Sequence, residues 1–446
     1  MRNRQIYNVF GCYASDTATG FHAKDYNQEP INSTELSIFD SNRIKQIDRI
    51  NSVSFGFNTD RVNFTQLGTR GLVNNYIVNR PSVQLNFDYW LAGVRNEARL
   101  GFNVNYNDSA GNPIISGQEI CCFNNFTGFE TDCRNLYIAV SPDADDLNNR
   151  IYDINHTGNS NQINPKDLTV YGFGNCYINS YQINAAVGRI PSASVGYICD
   201  NVKISSSGSG SNIPAVESKT GTLIDGIKFV IPHAESIATP SVFRPGDITL
   251  KIGSFSGNTG VFNETEEALF GVSSSGIPIQ SFSLSVGLER EELKSIGYVL
   301  PTDRRINFPI LAEVNLITLV GENITGDLSN ILNQNQPYDI LVNMLNPGCG
   351  ANREIGMQFK VHNCKLQTTS YSLGLENNLA ANFGLIAEID VNNAAKGLYI
   401  SGLLNTPNPN YISTFLMMEK NTTGFLFFET GVLNNNLLTI SEINPV

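Results

Sequence analysis

The strongest constraint on what this chain can fold into is a pattern written into it twice. Ser52-Val-Ser-Phe-Gly-Phe57, Arg61, Leu67-Gly68 and Val83-Gln-Leu-Asn-Phe87 return as Ser281-Phe-Ser-Leu-Ser-Val286, Arg290, Ile296-Gly297 and Ala312-Glu-Val-Asn-Leu316. The spacing is a constant 229 residues, from Ser52 and Ser281 through to Asn86 and Asn315. A register that holds without a gap from one stretch to the next points to duplication rather than to two unrelated β-domains of similar composition.

Apolar residues alternate with small or polar ones in both copies. Val53, Phe55 and Phe57, then Val83, Leu85, Phe87 and Tyr89, stand against Phe282, Leu284, Val286 and Leu288, then Ala312, Val314 and Leu316. A period of two belongs to a strand with one buried face, so each copy reads as a half-buried sheet. Two further blocks extend the match. Ile138-Ala-Val140 stands opposite Ile340-Leu-Val342 at a spacing of 202. Asn175-Cys176 with Ser180-Tyr181 stands opposite Asn363-Cys364 with Ser370-Tyr371, at 188 and 190. The spacing shrinks where the first copy carries longer loops, and loops accept insertions that strands do not.

The expected class is mainly β, with two tandem β-sandwich or barrel-forming units, each carrying a short helix at most. Residues 1–50 read as an N-terminal arm with a strand near Ile6 to Phe10, either bridging to a neighbouring subunit or lying on the edge of the first sheet. The first unit spans 51–204 and the second 276–396. Between them, 205–275 holds a Ser/Gly linker, Ser205 to Asn212, and bridging strands at Ile227 to Ile231 and Ile248 to Ile252. These strands either complete the first sandwich or bridge the units. Residues 397–446 form a C-terminal β extension. Asn263 and Glu266 have the spacing of a capping box before Ala268 to Phe270. Leu328, Ile331 and Leu332 share one face of a second short helix.

The chain carries 41 acidic and 29 basic residues, a net charge of −12. Phosphate-neutralising nucleic-acid binding needs a basic footprint, which this balance opposes, whereas an acidic passage repels DNA and keeps it from sticking. No apolar run approaches a membrane span and the first residues lack a signal-peptide core, so synthesis and assembly in cytosol are expected. The eight cysteines (Cys12, Cys121, Cys122, Cys133, Cys176, Cys199, Cys349, Cys364) are dispersed and read as small buried hydrophobes. Cys121-Cys122 with Cys133 lacks the paired spacing and nearby histidine of a zinc site.

His22, His156, His233 and His362 lie far apart, and neither a G-x-S-x-G elbow nor a phosphate-cradling glycine loop is present. The acidic turn Pro142 to Asp146 lacks the alternating ligands and closing Glu of a calcium loop. No carboxylate pair is singled out for glycoside hydrolysis, and the lone Trp90 is a poor sugar platform. No catalytic, cofactor-binding or metal-binding residue is assigned, and the chain is expected not to be an enzyme.

The run Ile47-Asp-Arg-Ile-Asn-Ser-Val-Ser-Phe-Gly-Phe57, the element Val62 to Gly68, the strand Arg80-Pro-Ser-Val-Gln-Leu-Asn-Phe-Asp-Tyr89 and Gly101-Phe102, echoed by Gln280 to Leu284 and Asn307 to Leu316, carry a resemblance. The sequence resembles the tail tube (major tail) proteins of long-tailed bacteriophages, specifically those with the tube fold duplicated in one chain. That resemblance implies a structural virion protein, assembled in the host cytoplasm, whose sheets join those of neighbouring copies around a lumen. Three duplicated chains would make a pseudo-sixfold ring, and the rings would stack into a negatively lined conduit for DNA ejection. Its partners would be itself, the tape measure protein and the tail terminator or tip proteins. DNA would pass without specific binding, and no membrane or cofactor would take part. Two other readings fit the same sequence: a tail-tip hub or head-to-tail connector ring on the same fold, and a receptor- or carbohydrate-binding β-protein.

Overall fold

A computed structural model describes residues 9–15, 44–59, 61–77, 80–107, 120–126, 133–141, 169–205, 214–223, 242–256, 261–264, 279–319, 337–347, 354–372, 380–391, 393 and 396–403. All of these belong to one compact unit, Met1–Ala234 with Ser241–Leu403. The chain is mainly β. Its first strands are β1 (Val9–Ser15), β2 (Ile44–Ile47), β3 (Ile50–Phe57), β4 (Arg61–Phe64), β5 (Asn74–Ile77), β6 (Val83–Trp90), β7 (Val104–Asn107), β8 (Arg134–Ser141), β9 (Thr169–Ala186) and β10 (Ser192–Ser205). There follow β11 (Ile248–Ser256), β12 (Val261–Glu264), β13 (Ile279–Gly287), β14 (Arg290–Leu293), β15 (Asp303–Ile306), β16 (Ile310–Leu319), β17 (Tyr338–Leu345), β18 (Ile355–Ser372), β19 (Ala380–Ile389) and β20 (Leu398–Leu403). The one α-helix among the described residues, α1, spans Arg95–Leu100.

Sixteen strands share one open sheet, and β4–β5 and β14–β15 are separate hairpins. In the N-terminal half the pairing order is β2-β1-β8-β9-β10-β6-β3; in the C-terminal half it is β12-β11-β17-β18-β19-β16-β13. The two orders are the same when strands are matched by their place in the chain. The halves join where β13 pairs antiparallel with the C-terminal part of β9.

Registers agree as well as order. Val53 pairs with Phe87 and Phe282 with Leu316, both ladders moved by 229. Gly196 faces Ser180 and Gly384 faces Thr368, both moved by 188, and a bulge follows at the same point in each. Arg134 faces Cys176 and Tyr338 faces Cys364. The bulge beside Cys176 and Cys364 places Asn175 and Asn363 at φ of 51° and 57°. Left-handed backbone is a conformation that asparagine tolerates better than most residues. Their backbone N–H groups donate to Asn135 Oδ1 at 3.3 Å and Asp339 Oδ1 at 2.9 Å, which occupy matching positions on β8 and β17.

Several expectations change. Ser180 corresponds to Thr368 rather than Ser370, and Leu136 to Ile340 rather than Ile138, because the ladders place them so. Of the two readings of the N-terminal segment, the one that lays a strand on the first sheet holds: β1 pairs with β8, and β2 pairs with β1 outside it. Ile248 to Ile252 falls in β11, which extends the C-terminal half by pairing with β17. The helix expected from Asn263 meets strand β12 over Val261–Glu264, and its remainder lies outside the described residues. So do Ile227 to Ile231, the helix near Leu328, most of the Ser/Gly linker and the extension beyond Leu403. The observed helix α1 ends on Gly101 at φ 99°, the left-handed cap that favours glycine.

The buried side chains of both halves form one core, built from the inward positions of β6, β9, β10, β13, β16, β18 and β19. Tyr89, Tyr181, Tyr197, Phe173, Phe359 and Phe383 are among its largest fully buried members. Gly174, two positions before Cys176 on β9, lies directly under the backbone of Pro214 and Ala215. This strap is fixed by Asn175 Nδ2 donating to the Val216 carbonyl at 3.0 Å and Asn201 Nδ2 donating to that of Pro214 at 2.7 Å. Gly174→Ala is therefore expected to lift the strap and cost about 1–3 kcal/mol, read by urea unfolding. His362 occupies the matching position in the other half, where a side chain is accommodated.

Candidate assembly interface

The internal junction between halves is a strand pairing reinforced by a hairpin. On β13, Phe282, Leu284 and Val286 are buried between β16 on one side and β9 on the other, with Leu284 opposite Ile183 and Val286 opposite Tyr181. Next in the chain, hairpin β14–β15 lies against the N-terminal half. Arg290 Nε donates to the Ile178 carbonyl at 2.7 Å, and its guanidinium stands 5.3 Å over the Tyr177 ring. Arg304 Nη2 meets Asp200 Oδ1 at 2.9 Å and its Nη1 meets Glu292 Oε1 at 2.6 Å. Arg304 and Asp200 are both buried. Burial outweighs the attraction of Arg304 and holds the Asp200 carboxyl above its ordinary range.

No strand among the described residues covers the corresponding surface of the N-terminal half. Among the described residues β3 pairs with β6 alone. Phe55 and Phe57, in the positions of Leu284 and Val286, are 42% and 62% exposed where their counterparts are 0% and 1%. The strand position, register and inner partner are shared, so the difference comes from the flanking strand that β13 has and β3 lacks. At the other end, Lys365–Ser372 of β18 pair with β19 on one side, and Tyr371 is 40% exposed. A strand edge that bears exposed apolar side chains and has no second ladder among the described residues is a template for another strand.

The two hairpins repeat this contrast. Arg61 pairs with Ile77 as Arg290 pairs with Ile306. Each turn holds a left-handed glycine, Gly68 at φ 92° and Gly297 at 88°, beside a fully exposed aliphatic tip, Leu67 or Ile296. Val299 and Leu300 of the second hairpin donate backbone hydrogen bonds to the Ser218 carbonyl. The first hairpin leaves Val62, Phe64, Leu72, Val73, Tyr76 and Ile77 exposed.

The sheet face opposite the core is polar. One row across the ladders runs Ser52, Asp88, Ser194, Gln182, Ser285, Glu313, Ile386 and Lys365; the next runs Trp90, Ser192, Asn184, Ser283, Asn315, Gly384 and Thr368. Ser, Asn and Gln hydrogen-bond weakly and reversibly, and the carboxylates of Asp88 and Glu313 repel anions. Such a face holds a phosphate chain poorly.

Sequence reasoning did not single out the buried ionisable groups, among them Glu97. Glu97 of α1 is fully buried, and its Oε1 accepts from the hydroxyls of Tyr89 at 2.8 Å and Tyr181 at 3.2 Å. Its Oε2 has no partner, and burial raises its pKa from 4.5 to about 7. The same helix is tied to the β2–β3 corner through Arg99 Nη1 and Asp48 Oδ2 at 3.1 Å.

Cys121, Cys122 and Cys364 are free and buried as expected, and one cysteine pair departs from expectation. Cys176 and Cys199 are opposed in the β9–β10 ladder with Cα atoms 4.0 Å apart and are joined as a disulfide. Ala387 takes the place of Cys199 in the other half, leaving Cys364 a free, buried thiol. Cys121 and Cys122 are buried. A hydrogen bond from Cys122 draws the Cys121 thiol down to about 7, and burial drives Cys122 well up. Among the described residues no group of three His, Cys, Asp or Glu side chains is placed to hold a metal ion, and no helix is long and apolar enough to cross a membrane. An apolar crevice between β3, β6 and β8 is lined by Ile47, Val53, Leu85, Phe87, Leu136, Tyr137 and Ile138, residues that offer shape and no nucleophile.

Compared with known proteins, the chain matches no family model and no curated sequence.

Proposed function

We propose that this chain is a structural virion protein that builds the tail tube of a long-tailed bacteriophage. Two β-units fused in tandem would let three chains form a pseudo-sixfold ring, and stacked rings would form a conduit through which DNA leaves. The observation that carries this reading is the repeated seven-strand order, joined internally and, among the described residues, open at both ends. One end offers β3 and the other offers the outer part of β18, and these are the same two kinds of edge that meet inside the chain as β13 and β9.

A flat row of such units would leave exposed edges at its ends, whereas closure into a ring removes them. A ring closes only if the interface is heterologous and its rotation divides a full turn, and β3 against β18 is heterologous. The polar, acid-bearing face with Asp88 and Glu313 suits a lumen that must pass DNA without holding it. The exposed tips at Leu67 and Ile296 suit contacts between rings. The tape measure and terminator or tip proteins are its proposed partners.

Sedimentation of the purified chain, raised step by step in concentration, tests the reading. Conversion to ring-sized and longer species supports it, and a monomer that persists at millimolar concentration overturns it. Abundance then separates a tube from a tip or connector. A tube subunit ranks among the most abundant proteins of the purified particle, and a tip or connector ring is present in a few copies.

A further inference from the structure

We infer that the seam between copies reproduces the internal seam residue for residue, with β3 and Arg61 of one chain seated on β18 of the next. This rests on the self-assembly reading and adds the register and the contacts. At the internal seam Ser283 faces Asn184, Leu284 faces Ile183 and Val286 faces Tyr181. Moving the β13 side back by 229, the shift that relates its ladder to that of β3, and the β9 side forward by 188, the shift that relates it to β18, gives the new pairs. Ser54 meets Ser372, Phe55 meets Tyr371 and Phe57 meets Thr369 of the neighbouring copy.

The side chains agree with that register. Phe55 and Tyr371 are both large, apolar and about two-fifths exposed in the isolated chain, at 42% and 40%. They would cover each other as Leu284 and Ile183 do, both being buried completely. A one-residue slip turns every side chain to the wrong side, and a slip of two sets Phe55 against Thr369 or Phe57 against Tyr371 and in either case parts Ser54 from Ser372.

The hairpin extends the match. Arg61 holds the position of Arg290 in an identical hairpin ladder, yet in the isolated chain it reaches the exposed Asn75 Oδ1 at 3.4 Å. The acceptor of Arg290 is the Ile178 carbonyl, and the residue in that position on β18 is Leu366. Arg61 would therefore donate to the Leu366 carbonyl of the next copy. Glu388 stands where Asp200 stands, its carboxylate already meeting Lys396 Nζ at 3.0 Å, while Lys365 replaces Tyr177, so the ring under the guanidinium is absent. The external seam is thus more polar than the internal one.

Engineered cysteine pairs in the full chain test this. Ser54→Cys with Ser372→Cys, oxidised after assembly, should give covalent dimers and trimers above the background of the unaltered chain, because facing residues lie within disulfide reach. Ser52→Cys with Ser370→Cys, out of register by four positions, should stay at background. Arg61→Ala should raise the concentration needed for half-assembly by about tenfold, the loss of one charge-assisted hydrogen bond. If rings form and the first pair does not cross-link, or the second does, the register is wrong and self-assembly stands. If no assembly forms in the unaltered chain, both readings fall together.

Discussion

Arg304→Met is expected to destabilise the fold by about 3–5 kcal/mol at pH 8, the usual cost of stripping the partner from a buried charge. Arg304 and Asp200 are 5% and 3% exposed, so water cannot replace the guanidinium at the carboxylate. Burial already holds the Asp200 carboxyl above its ordinary value of 3.8 against the pull of Arg304. Without Arg304 it would rise further. A raised carboxyl pKa in the folded state means that ionisation works against folding, so the deficit of the variant should shrink as pH falls and Asp200 takes up a proton. Adding Asp200→Asn should restore most of the loss, because an isolated buried charge, rather than a missing attraction, is what costs. Urea unfolding at pH 5 and pH 8 measures all three chains. A deficit below about 1 kcal/mol, or one that does not change with pH, would show that the pair is hydrated.

Glu97→Gln is expected to stabilise the chain at alkaline pH and leave it nearly unchanged at pH 5. Glu97 is buried with a pKa raised from 4.5 to about 7, so between those values the folded protein keeps a proton that the unfolded chain releases. Stability should therefore fall as pH rises through this window and level off above it, by about 3 kcal/mol in all at 1.36 kcal/mol for each tenfold. Glutamine keeps the acceptor for the Tyr89 and Tyr181 hydroxyls and has no charge to bury. The variant should show no fall in this window, and its melting point should exceed that of the parent most clearly at pH 8. Equal pH dependence in both chains would locate the titration elsewhere.

Much of the architecture was legible in the sequence. The shift of 229 lay in plain view because β3, the first hairpin and β6 have no insertion relative to their counterparts, so strand alternation and the glycines of both turns stayed in step. Asn175-Cys176 and Asn363-Cys364 were visible as a repeated pair because the bulge demands a residue that tolerates left-handed backbone. The errors have a physical pattern. Matching Ser180-Tyr181 to Ser370-Tyr371, or Ile138 to Ile340, slips a strand by two, which keeps every side chain on its face; alternation cannot detect that. Identity of letters misled where the role was played by a different letter, Thr368 for Ser180 beside a close-packed glycine.

The helix α1 escaped notice because Arg95-Asn-Glu-Ala-Arg-Leu100 looks like a solvated turn. Its Glu97 is buried by packing from Tyr89 and Tyr181, residues that only the folded sheet brings near. Of β1 and β2, the first was expected as a strand near Ile6 to Phe10 on the edge of the first sheet, and the second was not read as a strand. It is short, and its counterpart β12 carries no similar sequence to announce it. The open edges were half legible: Phe55 and Phe57 read as inward positions of a strand, and their exposure, like that of Tyr371, emerges only in the fold.

End-on images of the concentrated, purified chain, with the mass of each particle measured alongside, test the central claim most directly. The account predicts a hollow ring of six similar lobes whose mass is that of three chains of 48.9 kDa each, stacking into tubes as concentration rises. A solid monomer at every concentration, or a ring with one lobe per chain, would contradict it.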